Sequence, residues 1–193
     1  MAITTEDVKK LRDETGISIM QCKKALEEAG GDLEKARVIL EKQSKAVASK
    51  KADRELGAGA VASYVHNTGT VGAMVLLLCE TDFVARNEEF KALAYDIAMQ
   101  VAATAPEFKS LDEIPEDAKE KAKEVFTEEV KDKPVDMQEK ILAGKLDSYF
   151  KEKALLNQAF IKDPAVTISE MLERGTQKFG EKIDIGSFSR VAV

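Results

Sequence analysis

The chain has 193 residues, a length typical of one ordinary domain with a small additional unit. Hydrophobic residues make up 44% of it and charged residues 33%, proportions that favour a folded, helical protein over a disordered one. The formal net charge of −6 argues against nucleic acid or an anionic membrane surface as the main partner. The longest apolar run, residues 73–79, is far shorter than a membrane span, and the N-terminal segment lacks the apolar core of a signal peptide. We therefore expect a cytoplasmic protein.

Several classes of catalytic site are excluded by residue type. His66 is the only histidine, and the chain has neither a CxxC pair nor a GxxxxGK[ST] phosphate-binding motif. A GxGxxA pattern at 57–62 precedes a strand pattern, whereas a dinucleotide site needs it between a strand and a helix. Cys22 and Cys79 both sit in apolar patterns, which indicates buried free thiols in a reducing compartment. We expect no catalytic residue, no metal and no cofactor, and therefore not an enzyme.

Residues 1–42 have the pattern of three short helices. Thr4, Ser18 and Asp32 are each suited to capping a helix N-terminus, and Gly16 is suited to ending the first helix. Apolar residues recur at helical spacing after each cap. Three helices in so few residues predict a compact bundle of the kind that serves as a small docking module.

Residues 43–56 are predicted to be a basic linker. Five basic residues and one acid lie between positions 42 and 54. A solvated tether explains this composition, and a patch that meets an acidic partner or RNA is the alternative.

The period of the apolar residues changes at Gly57, where a core region over 57–110 begins. An alternating segment, a turn at 67–70 and the apolar run of 71–79 predict a β-hairpin. The continuous apolar run predicts that the second strand is central and covered on both faces. A helix with one apolar face follows, from Phe90 onward.

The remaining residues complete an α+β fold with an antiparallel sheet. Residues 111–163 have the pattern of two amphipathic helices joined near Pro134, which predicts a projecting helical hairpin and a candidate dimerisation element. Residues 164–193 begin with a capping box at Thr167 and end in an apolar alternation, which predicts a helix and the closing strand of the core.

Two of these segments carry a specific resemblance. Residues 81–87 read TDFVARN directly after the apolar strand, and residues 8–36 read VKKLRDETGISIMQCKKALEEAGGDLEKA. Both resemble the translation elongation factor Ts family, as do residues 97–108 and 167–193, so that the similarity covers nearly the whole chain. The family resemblance implies that the N-terminal helices form a module similar to ubiquitin-associated domains.

The resemblance implies a guanine nucleotide exchange factor for the GTPase elongation factor Tu, acting by disturbing its Mg²⁺ and phosphate site. The residues it places in contact with that site are Thr81, Asp82, Phe83 and Val84. Phe83 would insert between helices of the GTPase, and Asp82 would offer a carboxylate near its phosphate-binding region. From the residues alone, the favoured interpretation is that Asp82 only caps a helix while Phe83 and Val84 pack against the sheet.

The resemblance also implies a docking face on the N-terminal module. The matching positions are Lys9, Arg12, Ile19 and Met20. Ile19 could instead belong to the core, whereas Met20 lies off the main apolar stripe and is the better contact candidate. Gln100 stands where some members have a histidine that contacts the GTPase, so that this contact is in doubt.

Longer family members carry two copies of the core, and this chain has room for one. The resemblance therefore implies a homodimer bridged by the helical hairpin or by the final strand. Two other functions stay open at this point: an adaptor that binds proteins through its N-terminal module, and an RNA-associated factor that uses the basic linker. Neither nucleic acid nor a membrane is expected as a partner of the exchange factor.

Overall fold

A computed structural model of the protein describes residues 3–132 and 134–193. The N-terminal part consists of α1 (Thr5–Thr15), α2 (Ile19–Glu28) and α3 (Leu33–Lys50). The side chains of Thr4, Ser18 and Asp32 each accept a hydrogen bond from the backbone N–H three residues later, which confirms the three predicted N-caps. Gly16 ends α1 in the left-handed conformation, with φ of 67°, where a side chain would be strained.

The rest of the chain forms an α+β core with an additional helical hairpin, which confirms the predicted fold class. Its strands are β1 (Ala58–Val65), β2 (Val71–Cys79), β3 (Ala159–Phe160), β4 (Asp163–Thr167) and β5 (Asp184–Ala192). Its helices are α4 (Asp82–Ala85), α5 (Glu88–Thr104), α6 (Glu116–Val130), α7 (Val135–Lys153) and α8 (Ile168–Phe179). Short 3₁₀ turns occupy Leu111–Glu113 and Leu155–Asn157.

The main sheet has the strand order β1-β2-β5 with antiparallel pairing throughout, so that β2 is central as predicted. Both α4 and α5 pack on the same face of this sheet, where Val75, Leu77 and Phe90 are fully buried. The predicted coverage of both faces is wrong, because Met74 on the opposite face is 52% exposed. An apolar run along a strand indicates two apolar faces, but it does not indicate that the same chain covers both.

We call this uncovered surface the open sheet face. Its side chains share one side of the paired strands: Val61, Ser63, Val65, Met74, Leu76, Leu78, Asp184, Ser187, Ser189 and Val191. The face is therefore largely apolar, and its one charged position is Asp184, which pairs with Leu78 at the end of the sheet and forms an ion pair with Lys109 at 3.3 Å. Val61, Val65, Met74 and Val191 are exposed on it.

The segment predicted as a basic linker is mostly helical. α3 continues to Lys50 and packs along α8, so that the expected boundary at residue 42 lies inside a helix. The expectation of a solvated tether fails because this segment supplies a buried contact. Ser44 is 1% exposed, and its hydroxyl donates to the side-chain oxygen of Gln177. Lys51 also donates to the Gly180 carbonyl at 2.6 Å.

Replacing this buried hydroxyl tests how firmly α3 is attached to the core. We expect Ser44→Ala to lower the free energy of unfolding by about 1–2 kcal/mol, because it leaves the buried Gln177 oxygen without its donor. The matched control is Ser49→Ala on the exposed side of the same helix, which we expect to change that free energy by less than about 0.5 kcal/mol. Urea unfolding of the full chain measures both, and equal effects would contradict the buried contact.

The two helices predicted around Pro134 are present and pack against each other as α6 and α7. Phe126 of α6 contacts Tyr149 of α7 edge to face, with ring centroids 5.2 Å apart. Lys145 and Glu129 form an ion pair across the two helices at 2.6 Å. The predicted helical hairpin is therefore confirmed as a local structure, and its part in dimerisation stays a prediction.

Candidate partner-binding site

The segment TDFV follows the buried end of β2 after Glu80. Thr81 is the N-cap of the single-turn helix α4, and the other three residues belong to that helix. Val84 is 5% exposed and packs into the core cluster under the sheet. Phe83, one residue earlier, is 82% exposed. The segment thus separates the two roles that the sequence left open: Val84 packs against the sheet, whereas Phe83 presents its ring to the surface.

Asp82 also faces solvent. Its carboxylate forms an ion pair with Arg86, one turn later, at 2.9 Å, and the Asp82 side chain is 73% exposed. An exposed pair of this kind contributes little to stability, so that the carboxylate is available for another partner. Asp82 is the first residue of α4, and the N-cap residue Thr81 makes no side-chain cap bond.

Thr81 is instead held by the loop between α8 and β5. Its hydroxyl donates to Glu181 Oε1 at 2.6 Å, and its backbone N–H donates to Glu181 Oε2 at 3.0 Å. The backbone N–H of Glu80 donates to the same Oε2 at 3.1 Å. Sequence reasoning did not identify Glu181, because it lies a hundred residues from Thr81 and no local motif connects them.

Glu80 has a reciprocal set of partners. Its carboxylate accepts from the Lys182 backbone N–H at 2.6 Å and forms an ion pair with Arg54 at 3.2 Å. These donors favour the charged form, and they lower the pKa of Glu80 below its usual value, with the Lys182 N–H as the main cause. The segment before α4 is therefore fixed by two carboxylates: Glu181 accepts hydrogen bonds from residues 80–81, and Glu80 accepts one from the loop that carries Glu181.

The docking-face residues lie on α1 and α2, which pack against each other. Met20 is 81% exposed and Ile19 is 59% exposed, so that Ile19 does not belong to the core. Lys9 and Arg12 are also exposed, on α1. Two apolar and two basic side chains of the N-terminal module thus remain open to a partner, while Cys22 and Leu26 of α2 fill its small core.

Gln100 occupies a structural position. It is fully buried in α5, where its side-chain nitrogen donates to the oxygens of Gln158 and Ala159 at 3.1 Å each. Its side-chain oxygen accepts from the Ile161 backbone N–H at 2.9 Å. These bonds attach the β3 region to α5, and they leave Gln100 no exposed group with which to contact a partner.

No group of three or more potential metal ligands occurs within residues 3–132 and 134–193. His66 is exposed and shares a hydrogen bond with the Tyr64 hydroxyl at 3.0 Å, without an acid or a nucleophile beyond that pair in the described contacts. No helix in the same ranges is long and apolar enough to cross a membrane. The remaining candidates for a binding site are the α4 segment, residues 81–85, and the docking face.

Comparison with known proteins places these features in a family. A family profile described as Elongation factor TS matches residues 45–193. The elongation factor Ts of Thermodesulfovibrio yellowstonii is 48% identical, covering all of this chain and 97% of the relative. Those of Fervidobacterium nodosum and Thermotoga petrophila are 46% and 44% identical, covering all of this chain and 99% and 97% of each relative. The chain belongs to the elongation factor Ts family.

Proposed function

We propose that the chain is a guanine nucleotide exchange factor for elongation factor Tu. A role in translation elongation follows from the family. The observation that supports exchange is the projection of Phe83, 82% exposed, from a short helix in which the next residue, Val84, is buried in the core. A large aromatic ring that is uncovered and carried on an anchored backbone is suited to entering an apolar pocket of a partner.

The proposed mechanism acts on the cation of the bound nucleotide. Phe83 enters between helices of the GTPase, and the Asp82 carboxylate reaches its phosphate-binding region. Mg²⁺ requires near-octahedral coordination, so that a small displacement of its surroundings weakens its binding. Without the cation the charge of the diphosphate is poorly neutralised, and GDP leaves faster. The chain acts by binding alone and catalyses no covalent step.

Linkage sets a limit on this action. If the chain weakens GDP binding by some factor, bound GDP weakens the binding of the chain by the same factor. Each tenfold acceleration of release requires about 1.4 kcal/mol from contacts made as the nucleotide leaves. Burial of the Phe83 ring supplies about 1.5–3 kcal/mol of this, and contacts of the docking face hold the two proteins together.

The direct test uses elongation factor Tu loaded with a fluorescent GDP analogue and chased with excess unlabelled GDP. We expect the rate constant of release to rise with the concentration of the chain and to saturate. Binding without any acceleration would contradict exchange and would favour the alternative of an adaptor that uses the N-terminal module. We place the reaction in the cytoplasm, where the GTPase acts.

The docking face is tested separately by its most exposed apolar side chain. We expect Met20→Ala to raise the half-saturating concentration in the exchange assay about tenfold, because the truncation removes a contact but leaves α4 unchanged. The maximal rate should stay within about twofold of the wild type. Met137→Ala, an exposed methionine on α7, is the matched control and should change neither value. An unchanged half-saturating concentration for Met20→Ala would remove Met20 from the docking face.

We further propose that the chain forms a homodimer through the open sheet face. Stacked sheets pack about 10 Å apart through apolar inner faces. The open sheet face offers such an area around Met74 and Val61, with its one charged residue, Asp184, at the end of the sheet and paired with Lys109. A second copy of the chain presents an identical face, so that a dimer with two-fold symmetry can bury the open sheet faces of both copies against each other. The final strand β5 forms one edge of this face, in agreement with one of the two bridges that the sequence suggested.

A further inference from the structure

The α4 segment has few means of fixing its own geometry. Its helix has four residues, which is a single turn, and an isolated turn of helix is unstable in water. Phe83 is exposed, and the Asp82 ion pair with Arg86 is a surface contact between two exposed side chains. The direction in which Phe83 and Asp82 point is therefore set by what holds the two ends of the turn.

The C-terminal half of the turn is held by Val84, which is buried in the core. The N-terminal end is held by Glu181, whose carboxylate accepts three hydrogen bonds from residues 80–81 at 2.6–3.1 Å. Charge-assisted bonds to a carboxylate are stronger than neutral ones and fix direction as well as distance. The Thr81 hydroxyl donates one of these three hydrogen bonds.

The loop that carries Glu181 is itself fixed. The backbone N–H of the next residue, Lys182, donates to Glu80, and the Lys182 ammonium donates to the Ala52 carbonyl at 2.5 Å and the Arg54 carbonyl at 3.1 Å. Three segments from distant parts of the sequence thus meet at the start of α4. The loop that carries Glu181 is therefore anchored, through Lys182, on Glu80 and on the segment that follows α3.

We propose that Glu181 is a positioning residue for nucleotide exchange: its three hydrogen bonds to Glu80 and Thr81 fix α4 in the orientation that presents Phe83 and Asp82 to the GTPase. In the same arrangement Thr81 serves inside the protein, as a donor to Glu181, and does not contact the partner through its hydroxyl. The proposal rests on the proposed exchange function. It adds to it a residue that touches neither nucleotide nor partner.

The first test compares Glu181→Ala with Glu181→Gln in the GDP-release assay. We expect Glu181→Ala to lower the maximal release rate about tenfold while the half-saturating concentration stays within about twofold, because the docking face is unchanged. Glutamine keeps an oxygen for the two backbone N–H groups, and its amide donates to the Thr81 hydroxyl oxygen. We therefore expect Glu181→Gln to retain activity within about threefold of the wild type, although it loses the same charge.

A double-variant cycle separates positioning from a general effect on stability. In a background that carries both Asp82→Ala and Phe83→Ala, the two side chains that Glu181 orients are already absent, so that adding Glu181→Ala should lower the rate by less than about twofold. Its effect on thermal unfolding should be the same in both backgrounds. Thr81→Val, which removes one of the three donors and keeps the shape, should lower the maximal rate about threefold.

Amide hydrogen exchange provides a readout that needs no partner. The N–H groups of Glu80 and Thr81 should exchange faster in Glu181→Ala and stay protected in Glu181→Gln. A wild-type rate for Glu181→Ala would overturn the role of Glu181 alone. The same holds for a loss from Glu181→Ala that is as large in the Asp82→Ala, Phe83→Ala background as in the wild type. If the wild-type chain itself fails to accelerate GDP release, the exchange function fails, and this role fails with it.

Discussion

Replacing both exposed side chains of α4, as Asp82→Ala with Phe83→Ala, is expected to lower the maximal rate of GDP release from elongation factor Tu about 100-fold. The aromatic ring supplies most of this loss, because its burial in the partner is worth about 1.5–3 kcal/mol. The rest of the loss is expected from the missing Asp82 carboxylate, which in the proposed mechanism disturbs the charges at the phosphate site of the GTPase. In the proposed mechanism both side chains make their contacts only as the nucleotide leaves, and we therefore expect their loss to change the release rate more than the affinity for the GTPase.

The double variant should remain folded, because both side chains are exposed in the free chain. The midpoint temperature of thermal unfolding is expected to stay within about 2 °C of the wild-type value. The matched control is Val125→Ala with Asp132→Ala, which removes one exposed apolar and one exposed acidic side chain from the helical hairpin. We expect this control to release GDP at the wild-type rate.

Single variants divide the effect between the two groups. Phe83→Leu keeps apolar volume and should retain more activity than Phe83→Ala, whereas Asp82→Asn keeps the shape of the side chain and removes only its charge. Acceleration that survives the double alanine variant in full would place the exchange contact outside α4. The GTPase would then remain the partner, and the mechanism would have to be sought on another surface.

Local signals in the sequence predicted much of this fold. The caps at Thr4, Ser18 and Asp32 are formed by residues within one helical turn, so that the sequence pattern contains both partners of each bond. The β1–β2 hairpin follows from its alternation and turn for the same reason. These elements depend on residues that are close in sequence, so that the sequence alone is enough to identify them.

Contacts between distant residues were not predictable in this way. The continuation of α3 to Lys50 is stabilised by packing on α8, and Ser44 meets Gln177 across 133 positions. The exposure of Ile19 and the burial of Gln100 likewise depend on which face each helix turns inward. Sequence reasoning placed the TDFV segment at the end of a buried strand, but only the structure separates Phe83 from Val84.

Charging the open sheet face is expected to dissociate the proposed homodimer. In the variant Val61→Lys with Met74→Lys, each copy carries two ammonium groups on the face, and the dimer would have to bury four without partners. Burial of unpaired charge costs several kcal/mol, so that we expect dimerisation to weaken at least about 1000-fold. Both side chains are more than half exposed in the single chain, and its own fold should therefore tolerate the change.

Sedimentation equilibrium at micromolar concentration measures this directly. The wild-type chain should sediment at twice its mass of 21.2 kDa and the charged variant at the single mass. The matched control places the same two lysines on the other candidate surface, as Val125→Lys with Met137→Lys on the helical hairpin, and it should remain dimeric. Dissociation of the control alone would move the interface to the hairpin. A wild-type chain that sediments at 21.2 kDa would refute the dimer. The open sheet face of the monomer would then either be covered by the GTPase or remain exposed to solvent.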